Sequence, residues 1–163
     1  MEIHNAMKEA LEFEERGKSI YEGAANNASN QLVKRTFEYL AKEEENHIAE
    51  IKNYLHNKTL QFSGDSKVDV QKFFKTTVSE FKKDLQVSED ELQLYEKAME
   101  LEKVSYVYYE QQRDQTSDEQ LREFFSFLIE QEKAHYLLLE KTKEFLEKPE
   151  QFYAMEEEWN FEG

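Results

Sequence analysis

The sequence predicts an all-α protein: a bundle of four long helices, built as two duplicated hairpins with a long crossover between them. Three observations favour this fold. Glycine occurs 4 times and proline once in 163 residues, which is too sparse for the many turns of an all-β fold. Apolar residues recur at helical spacing along most of the chain. A pattern of glutamate and histidine also repeats at a constant offset of 88 residues, which indicates an internal duplication.

The first hairpin is predicted from two apolar patterns with almost no linker between them. Helix A is expected over about residues 3–28 and helix B over about residues 30–57. Ser29 is the expected N-cap of helix B, because its hydroxyl can accept a hydrogen bond from an unpaired backbone N–H. Two helices joined so closely must fold back as an antiparallel pair.

Residues 57–88 interrupt this pattern and predict the crossover. Phe62-Ser63-Gly64-Asp65 is typical of a loop, and the apolar residues that follow predict a short amphipathic helix over about residues 69–85. We expect this phenylalanine-rich helix to form a lid on the bundle or a dimer contact. A long crossover of this kind allows the second hairpin to follow the first in one bundle.

The second hairpin is expected over about residues 89–116 and 118–147. Ser88-Glu89-Asp90-Glu91 has the form of a capping box at the start of helix C, and Ser117 is the expected N-cap of helix D. Pro149 cannot continue helix D, because its ring removes an N–H donor and collides with the preceding turn.

These boundaries predict one domain, the bundle over residues 1–148, followed by a C-terminal segment. Residues 149–163 contain the only tryptophan, Trp159, and are expected to form a short helix and arm that pack on the bundle or on a second subunit. A homodimer is therefore the expected assembly.

The composition excludes several classes of function. The absence of cysteine excludes disulfides, thiolate metal sites and thiol nucleophiles. The net charge of −15 argues against nucleic acid as a partner, since phosphates are repelled. No apolar run is long enough for a membrane span, and the N-terminus lacks the apolar core of a signal peptide, so we expect a cytoplasmic protein without a membrane partner.

The repeated pattern has the spacing of a metal site. In each hairpin one glutamate is followed thirty residues later by Glu-x-x-His: Glu14, Glu44 and His47, then Glu102, Glu132 and His135. Residues three apart share one face of a helix, so one metal ion can bind both the carboxylate and the imidazole. Two such hairpins supply the ligands of a dinuclear carboxylate site.

A single Glu-x-x-His motif is weak evidence for a metal site in so acidic a chain. A single histidine can equally be an ordinary core or surface residue. The duplication strengthens the metal interpretation, and so do the apolar residues around both motifs. Four carboxylates facing one core are costly without a cation, because burying even one unpaired charge costs several kcal/mol. Oxygen and nitrogen ligands without thiolate favour two iron ions, with manganese as the alternative.

At these residues the chain resembles the rubrerythrin branch of the ferritin-like superfamily, over about residues 3–147. The most specific strings are Glu14-Glu15-Arg16-Gly17 leading to Tyr21, Glu44-Glu45-Asn46-His47, Glu102-Lys103-Val104-Ser105 leading to Tyr109, and Glu132-Lys133-Ala134-His135.

The resemblance implies a non-haem di-iron site that reacts with hydrogen peroxide or dioxygen. It also implies that Glu44 and Glu132 bridge the two ions. One ion would be completed by Glu14 and His47, and the other by the equivalent pair: Glu102 and His135.

Two departures from the family affect the expected reaction. Rubrerythrins carry a rubredoxin-like domain that binds iron through cysteine, and this sequence has no cysteine, so electrons are expected from a separate protein or small reductant. Rubrerythrins also place an extra glutamate three residues after the helix C ligand, where this chain has Ser105. The remaining ligand set is closer to the symmetric ferroxidase site of bacterioferritins.

The residues near the motifs have two interpretations each. Tyr21 and Tyr109 lie seven residues after a predicted ligand glutamate, and they either hydrogen-bond a ligand carboxylate and assist its chemistry or are core aromatics. By helical geometry Glu43, Glu45 and Glu130 are expected to point away from the site into solvent, and the alternative is that they form an acidic path for iron entry.

The leading hypothesis is a di-iron peroxidase or ferroxidase that serves oxidative-stress defence or iron handling. A non-catalytic module that stores or delivers iron is the second hypothesis. A structural helical bundle is the third.

Overall fold

The computed structural model describes residues 2–60, 62–84 and 86–150. Five helices follow one another: α1 (Glu2–Asn27), α2 (Gln31–Asn57), α3 (Lys67–Phe81), α4 (Glu89–Gln115) and α5 (Glu119–Glu147). The helix α1 pairs with α2, and α4 pairs with α5, while α1 also contacts α4 to join the two hairpins. The short helix α3 lies against α5 and α2. The predicted fold class, a ferritin-like bundle of two hairpins with a crossover helix, is confirmed.

The N-cap of α2 is Asn30, so the prediction of Ser29 was wrong by one residue. The Asn30 side-chain oxygen accepts a hydrogen bond from the Val33 N–H at 3.0 Å. Its amide nitrogen donates to the carbonyls of Asp84 and Gln86, both at 2.9 Å. Asparagine both accepts and donates, so one side chain caps the helix and fixes the end of the crossover. A serine hydroxyl has only one proton to donate and cannot make all three bonds.

The capping box at the start of α4 is confirmed, and its glutamate also bonds to the turn between α1 and α2. Ser88 Oγ accepts from the Glu91 N–H at 3.0 Å, and Glu91 Oε1 accepts from the Ser88 N–H at 3.0 Å. The other oxygen of Glu91 accepts from the N–H groups of Ser29 and Asn30, both at 3.2 Å. One carboxylate therefore joins the start of the second hairpin to the turn of the first.

The N-cap of α5 is Asp118 and not the predicted Ser117. Asp118 Oδ1 accepts a hydrogen bond from the Leu121 N–H at 3.1 Å. A carboxylate at a helix N-terminus also interacts favourably with the helix dipole, which a hydroxyl does much less.

The crossover helix begins and ends earlier than predicted, at Lys67 and Phe81. Ser66 and Asp69 form a capping box that the sequence analysis missed, and this sets the earlier start. The helix buries Val70, Phe74 and Val78, so it is a lid on the bundle. The predicted helix extended to residue 85, which lies outside the described residues. Residues 151–163 of the predicted C-terminal segment, which spans 149–163, lie outside them as well.

The core consists of two apolar clusters with a polar layer between them. One cluster contains Tyr21 and Tyr95 among others, and the second contains Tyr109 and Phe124 among others. The hydroxyls of Tyr21 and Tyr109 reach the same group of buried carboxylates from the two sides. Among the described residues no helix has the length and apolar character needed to cross a bilayer.

Candidate metal centre

The two hairpins bring all six predicted ligand residues into one buried layer. Each of the six residues is at most 2% exposed: Glu14, Glu44, His47, Glu102, Glu132 and His135. They form two overlapping groups, and within each group one nitrogen or oxygen atom per residue lies within 4.8 Å of the others. Both groups contain Glu44 and Glu132, which is the arrangement expected of carboxylates shared by two ions.

The Nδ1 atoms of the two histidines point into this layer. His47 Nδ1 lies 3.4 Å from Glu14 Oε1 and 3.6 Å from Glu132 Oε1. His135 Nδ1 lies 3.6 Å from an oxygen of Glu44 and 3.7 Å from an oxygen of Glu102. The two rings are nearly parallel, with an interplanar angle of 19° and centroids 6.0 Å apart.

These distances fit metal ions and fit direct hydrogen bonds poorly. Two ligand atoms about 2.1 Å from one ion lie about 3.0 Å apart at octahedral angles and about 3.4 Å apart at tetrahedral angles. Several buried atoms of the layer also lack a hydrogen-bond partner, namely Nδ1 of both histidines, Nε2 of His135, Glu44 Oε1, Glu102 Oε2 and Glu132 Oε1. Buried polar atoms without partners are costly, and a cation between them removes that cost.

The charges of the layer also favour metal binding. Burial lowers the pKa of His135, but the carboxylates of Glu102 and Glu43 outweigh it and raise that pKa to about 10. Burial likewise lowers the pKa of His47, and the Glu14 carboxylate more than compensates, so the net shift is upward. In the metal-free protein the carboxylates therefore keep a proton on the His135 imidazole at neutral pH, and they favour the charged form of His47. Metal ions can replace those protons as counter-charges.

Tyr21 and Tyr109 bind carboxylates of the opposite hairpin. The Tyr109 hydroxyl donates to Glu14 Oε1 at 3.0 Å, and the Tyr21 hydroxyl donates to Glu102 Oε1. Burial and the adjacent carboxylates raise the pKa of both phenols well above their ordinary value, so both remain protonated donors. Each tyrosine fixes one oxygen of a predicted ligand and links helices α1 and α4.

The sequence analysis missed two residues of the site, Glu43 and Gln131. Glu43 was predicted to be solvated, which was wrong, because the residue is only 4% exposed. Glu43 Oε1 lies 3.8 Å from His135 Nε2, and Gln131 Oε1 lies 3.2 Å from His47 Nε2. The two positions are separated by the same 88 residues as the ligands, but every pair of equivalent positions shares that offset, so the sequence carried no signal that singled them out. The other two flanking glutamates, Glu45 and Glu130, are exposed as predicted.

The loop before α3 covers this side of the site. Glu43 Oε1 accepts from the Asp65 N–H at 3.0 Å, and the Gln131 amide donates to the Asp65 carbonyl at 2.6 Å. Asp65 also accepts a hydrogen bond from the Tyr39 hydroxyl. Gly64 has a φ of 148°, and a Cβ atom there would overlap Gln131 Oε1. The loop therefore requires glycine at this position to approach the site so closely.

Ser105 lies within α4, three residues after Glu102, at the position where the resemblance predicts an additional glutamate. Its side chain is buried, and its hydroxyl donates to the Leu101 carbonyl at 2.9 Å within α4. The hydroxyl is therefore used inside its own helix.

Comparison with known families agrees with this geometry. The family model described as Rubrerythrin matches residues 5–143, which includes nearly all of the four long helices. The chain belongs to the rubrerythrin family. Neither the curated proteins nor the solved structures contain a significant match to it. In this rubrerythrin-family chain, the buried glutamate and histidine cluster is consistent with a di-metal site.

Proposed function

We propose that this chain is a non-haem di-iron protein that reacts with hydrogen peroxide or dioxygen, in oxidative-stress defence or iron handling. The observation that carries the proposal is the pair of overlapping buried clusters that share Glu44 and Glu132. Membership of the rubrerythrin family supports iron, and a ligand set of carboxylates and imidazoles without thiolate is compatible with it. Manganese is the alternative ion for the same ligands.

Each residue of the site has a role in this proposal. Glu44 and Glu132 would be the carboxylates shared by the two ions, because both residues belong to both clusters. Glu14 and His47 complete one coordination shell, and the equivalent pair from the second hairpin completes the other: Glu102 and His135. When bound, two ferrous ions supply two electrons to the O–O bond of a small oxidant. An external protein or small reductant must return those electrons.

The surrounding residues position the ligands and exclude water. Tyr21 and Tyr109 hold one oxygen each of Glu102 and Glu14, which restricts how those carboxylates can rotate. Their phenolic protons are also the nearest donors available to the carboxylates, because both hydroxyls remain protonated at neutral pH. The apolar clusters on both sides keep bulk water out of the layer.

Ser105 favours ferroxidase or iron-storage behaviour over the peroxidase behaviour of family members with an extra carboxylate. At this position the chain offers a hydroxyl that is already bonded to Leu101, and it offers no additional carboxylate from α4. A purely structural bundle agrees less well with the buried layer. Glu44, Glu102 and Glu132 would then each keep a buried oxygen without a partner, which is costly, and no bound ion would offset that cost.

The test is anaerobic loading with ferrous iron, followed by rapid mixing with hydrogen peroxide or with dioxygen. The proposal predicts about two iron ions per chain and rapid oxidation of the bound iron by at least one oxidant. The oxidant that reacts faster identifies the peroxidase or ferroxidase alternative. Two bound ions that neither oxidant oxidises would leave the storage function, and no bound iron or manganese would refute the metal site itself.

A further inference from the structure

Each predicted ligand imidazole is contacted at Nε2 by a residue of the opposite hairpin. The residue for His47 is Gln131 on α5, and the residue for His135 is Glu43 on α2. Glu43 and Gln131 are equivalent positions of the internal repeat, since they are 88 residues apart. The six ligand residues are symmetric between the two hairpins, but these two contacts are not, because one is a carboxylate and the other a neutral amide.

The two contacts differ in geometry as well as in charge. The Gln131 amide oxygen accepts from His47 Nε2 at 3.2 Å, while its nitrogen is already used on the Asp65 carbonyl. The Glu43 carboxylate lies 3.8 Å from His135 Nε2, an ion-pair distance, and the same oxygen accepts from the Asp65 N–H. Asp65 thus holds both residues through its two backbone groups.

A carboxylate near the outer nitrogen of a ligand imidazole makes that imidazole a stronger donor to metal, because the carboxylate stabilises the positive charge that metal binding places on the ring. A neutral amide does this much less. The cost of burying Glu43 is offset in part by the Asp65 N–H and by the histidine.

We propose that Glu43 and Gln131 are positioning residues that make the two metal positions unequal, with the ion at His135 and Glu102 bound more tightly than the ion at His47 and Glu14. The proposal rests on the di-metal site of the proposed function and adds an order of loading to it. The site fills first at the position supported by Glu43.

The test is calorimetric titration of the metal-free protein with ferrous iron under anaerobic conditions, for the native chain, Glu43→Gln and Gln131→Glu. Removing an outer partner of a metal-bound histidine typically costs about 10–100-fold in metal affinity. The native chain should therefore show two binding steps that differ by about tenfold or more. Glu43→Gln should weaken the tighter step by a similar factor, while Gln131→Glu should strengthen the weaker step, so both variants bring the two constants together.

Glu45→Gln is the matched control, because it removes the same charge from an exposed position on the same helix. It should leave both constants unchanged. Mössbauer spectra of chains loaded with iron-57 give a second readout, since two unequal ferrous positions produce two quadrupole doublets. These should approach each other in Glu43→Gln. If Glu43 had only a structural role, Glu43→Gln would change the free energy of unfolding and leave the two quadrupole doublets unchanged.

The outcomes separate this inference from the proposed function. Two ions bound with equal affinity in the native chain, or a Glu43→Gln titration identical to the native one, would overturn the inference and leave the di-metal site intact. A native chain that binds no metal would overturn both.

Discussion

The buried histidines are the residues on which the site most clearly depends. His135 is fully buried, and its Nδ1 faces three carboxylates, those of Glu44, Glu102 and Glu132. His135→Ala should reduce iron content from about two ions per chain to one or fewer, because one coordination shell loses its only nitrogen ligand. Elemental analysis after iron loading measures this.

His56→Ala is the control for that experiment, since His56 lies on the surface at the end of α2. It should load iron like the native chain. Normal loading of the His135 variant would show that the ligands are misassigned. Glu44→Ala should behave like His135→Ala or worse, because Glu44 belongs to both clusters.

The phenol of Tyr109 provides a second test at the residue scale. Tyr109→Phe removes the hydrogen bond to Glu14 and leaves a buried carboxylate oxygen without that donor. The free energy of unfolding of the metal-free protein should fall by about 1–3 kcal/mol. Urea denaturation followed by circular dichroism measures the change. Tyr106→Phe, at a half-buried position on the same helix, should change it by less than about 0.5 kcal/mol.

Metal loading should also depend on pH with a defined sign. The folded-state pKa of His135 is raised from 6.5 to about 10, with burial opposing the shift and the carboxylates of Glu102 and Glu43 causing it. At pH 7 the metal-free imidazole therefore carries its proton, and metal must displace it. Affinity should rise with pH until that proton is lost near pH 10, and it should fall towards lower pH.

Calorimetry in two buffers of different ionisation enthalpy measures the protons released. Proton release on loading at pH 7 is the expected result. Loading without any release would mean that the imidazoles are neutral before metal binds, contrary to the charge arrangement described above.

At the scale of the elements, the loop before α3 belongs to the site. Gly64→Ala places a Cβ atom against Gln131 Oε1 and forces a non-glycine residue to a φ of 148°. We expect a loss of about 1–3 kcal/mol in the free energy of unfolding, together with weaker metal binding, because Gln131 must move away from His47.

Gly23→Ala is a matched control for the loop variant. Gly23 lies within α1, and a Cβ there meets no atom within 4 Å. It should be neutral or stabilise the protein by about 0.5–1 kcal/mol, because alanine is the better helix former. Thermal unfolding and metal titration of both variants separate a loop effect from a general effect of glycine replacement. Equal stability of the two variants would show that the loop does not constrain the site.

The sequence predicted the helices and ligands well because both leave periodic signals. Glu14 and its partners recur at one offset, and helical spacing fixes which of them share a face. The sequence analysis failed at Glu43 because it assumed that the rest of the protein covers only one face of α2. In the structure the loop at Asp65 covers a second face of α2, and no local sequence pattern predicts that contact. The same applies to Asn30, whose selection over Ser29 depends on the distant carbonyl of Asp84.

At the scale of the whole molecule, the packing of the two hairpins holds acidic side chains close together although their charges repel one another. The chain carries a net charge of −15, and the four predicted ligand carboxylates are buried in one layer between two apolar clusters. Two divalent ions would balance those four charges. The internal duplication explains how one chain supplies two nearly equivalent half-sites, and the exchange of glutamate for glutamine at positions 43 and 131 explains why they need not behave alike.

The most direct test of this account is anomalous diffraction at the iron edge from crystals loaded with ferrous iron. The account predicts two anomalous peaks per chain, about 3.5–4 Å apart, with Glu44 and Glu132 contacting both. One peak should also contact His47 Nδ1 and the other His135 Nδ1. A single peak, or peaks away from these six side chains, would contradict the di-metal site.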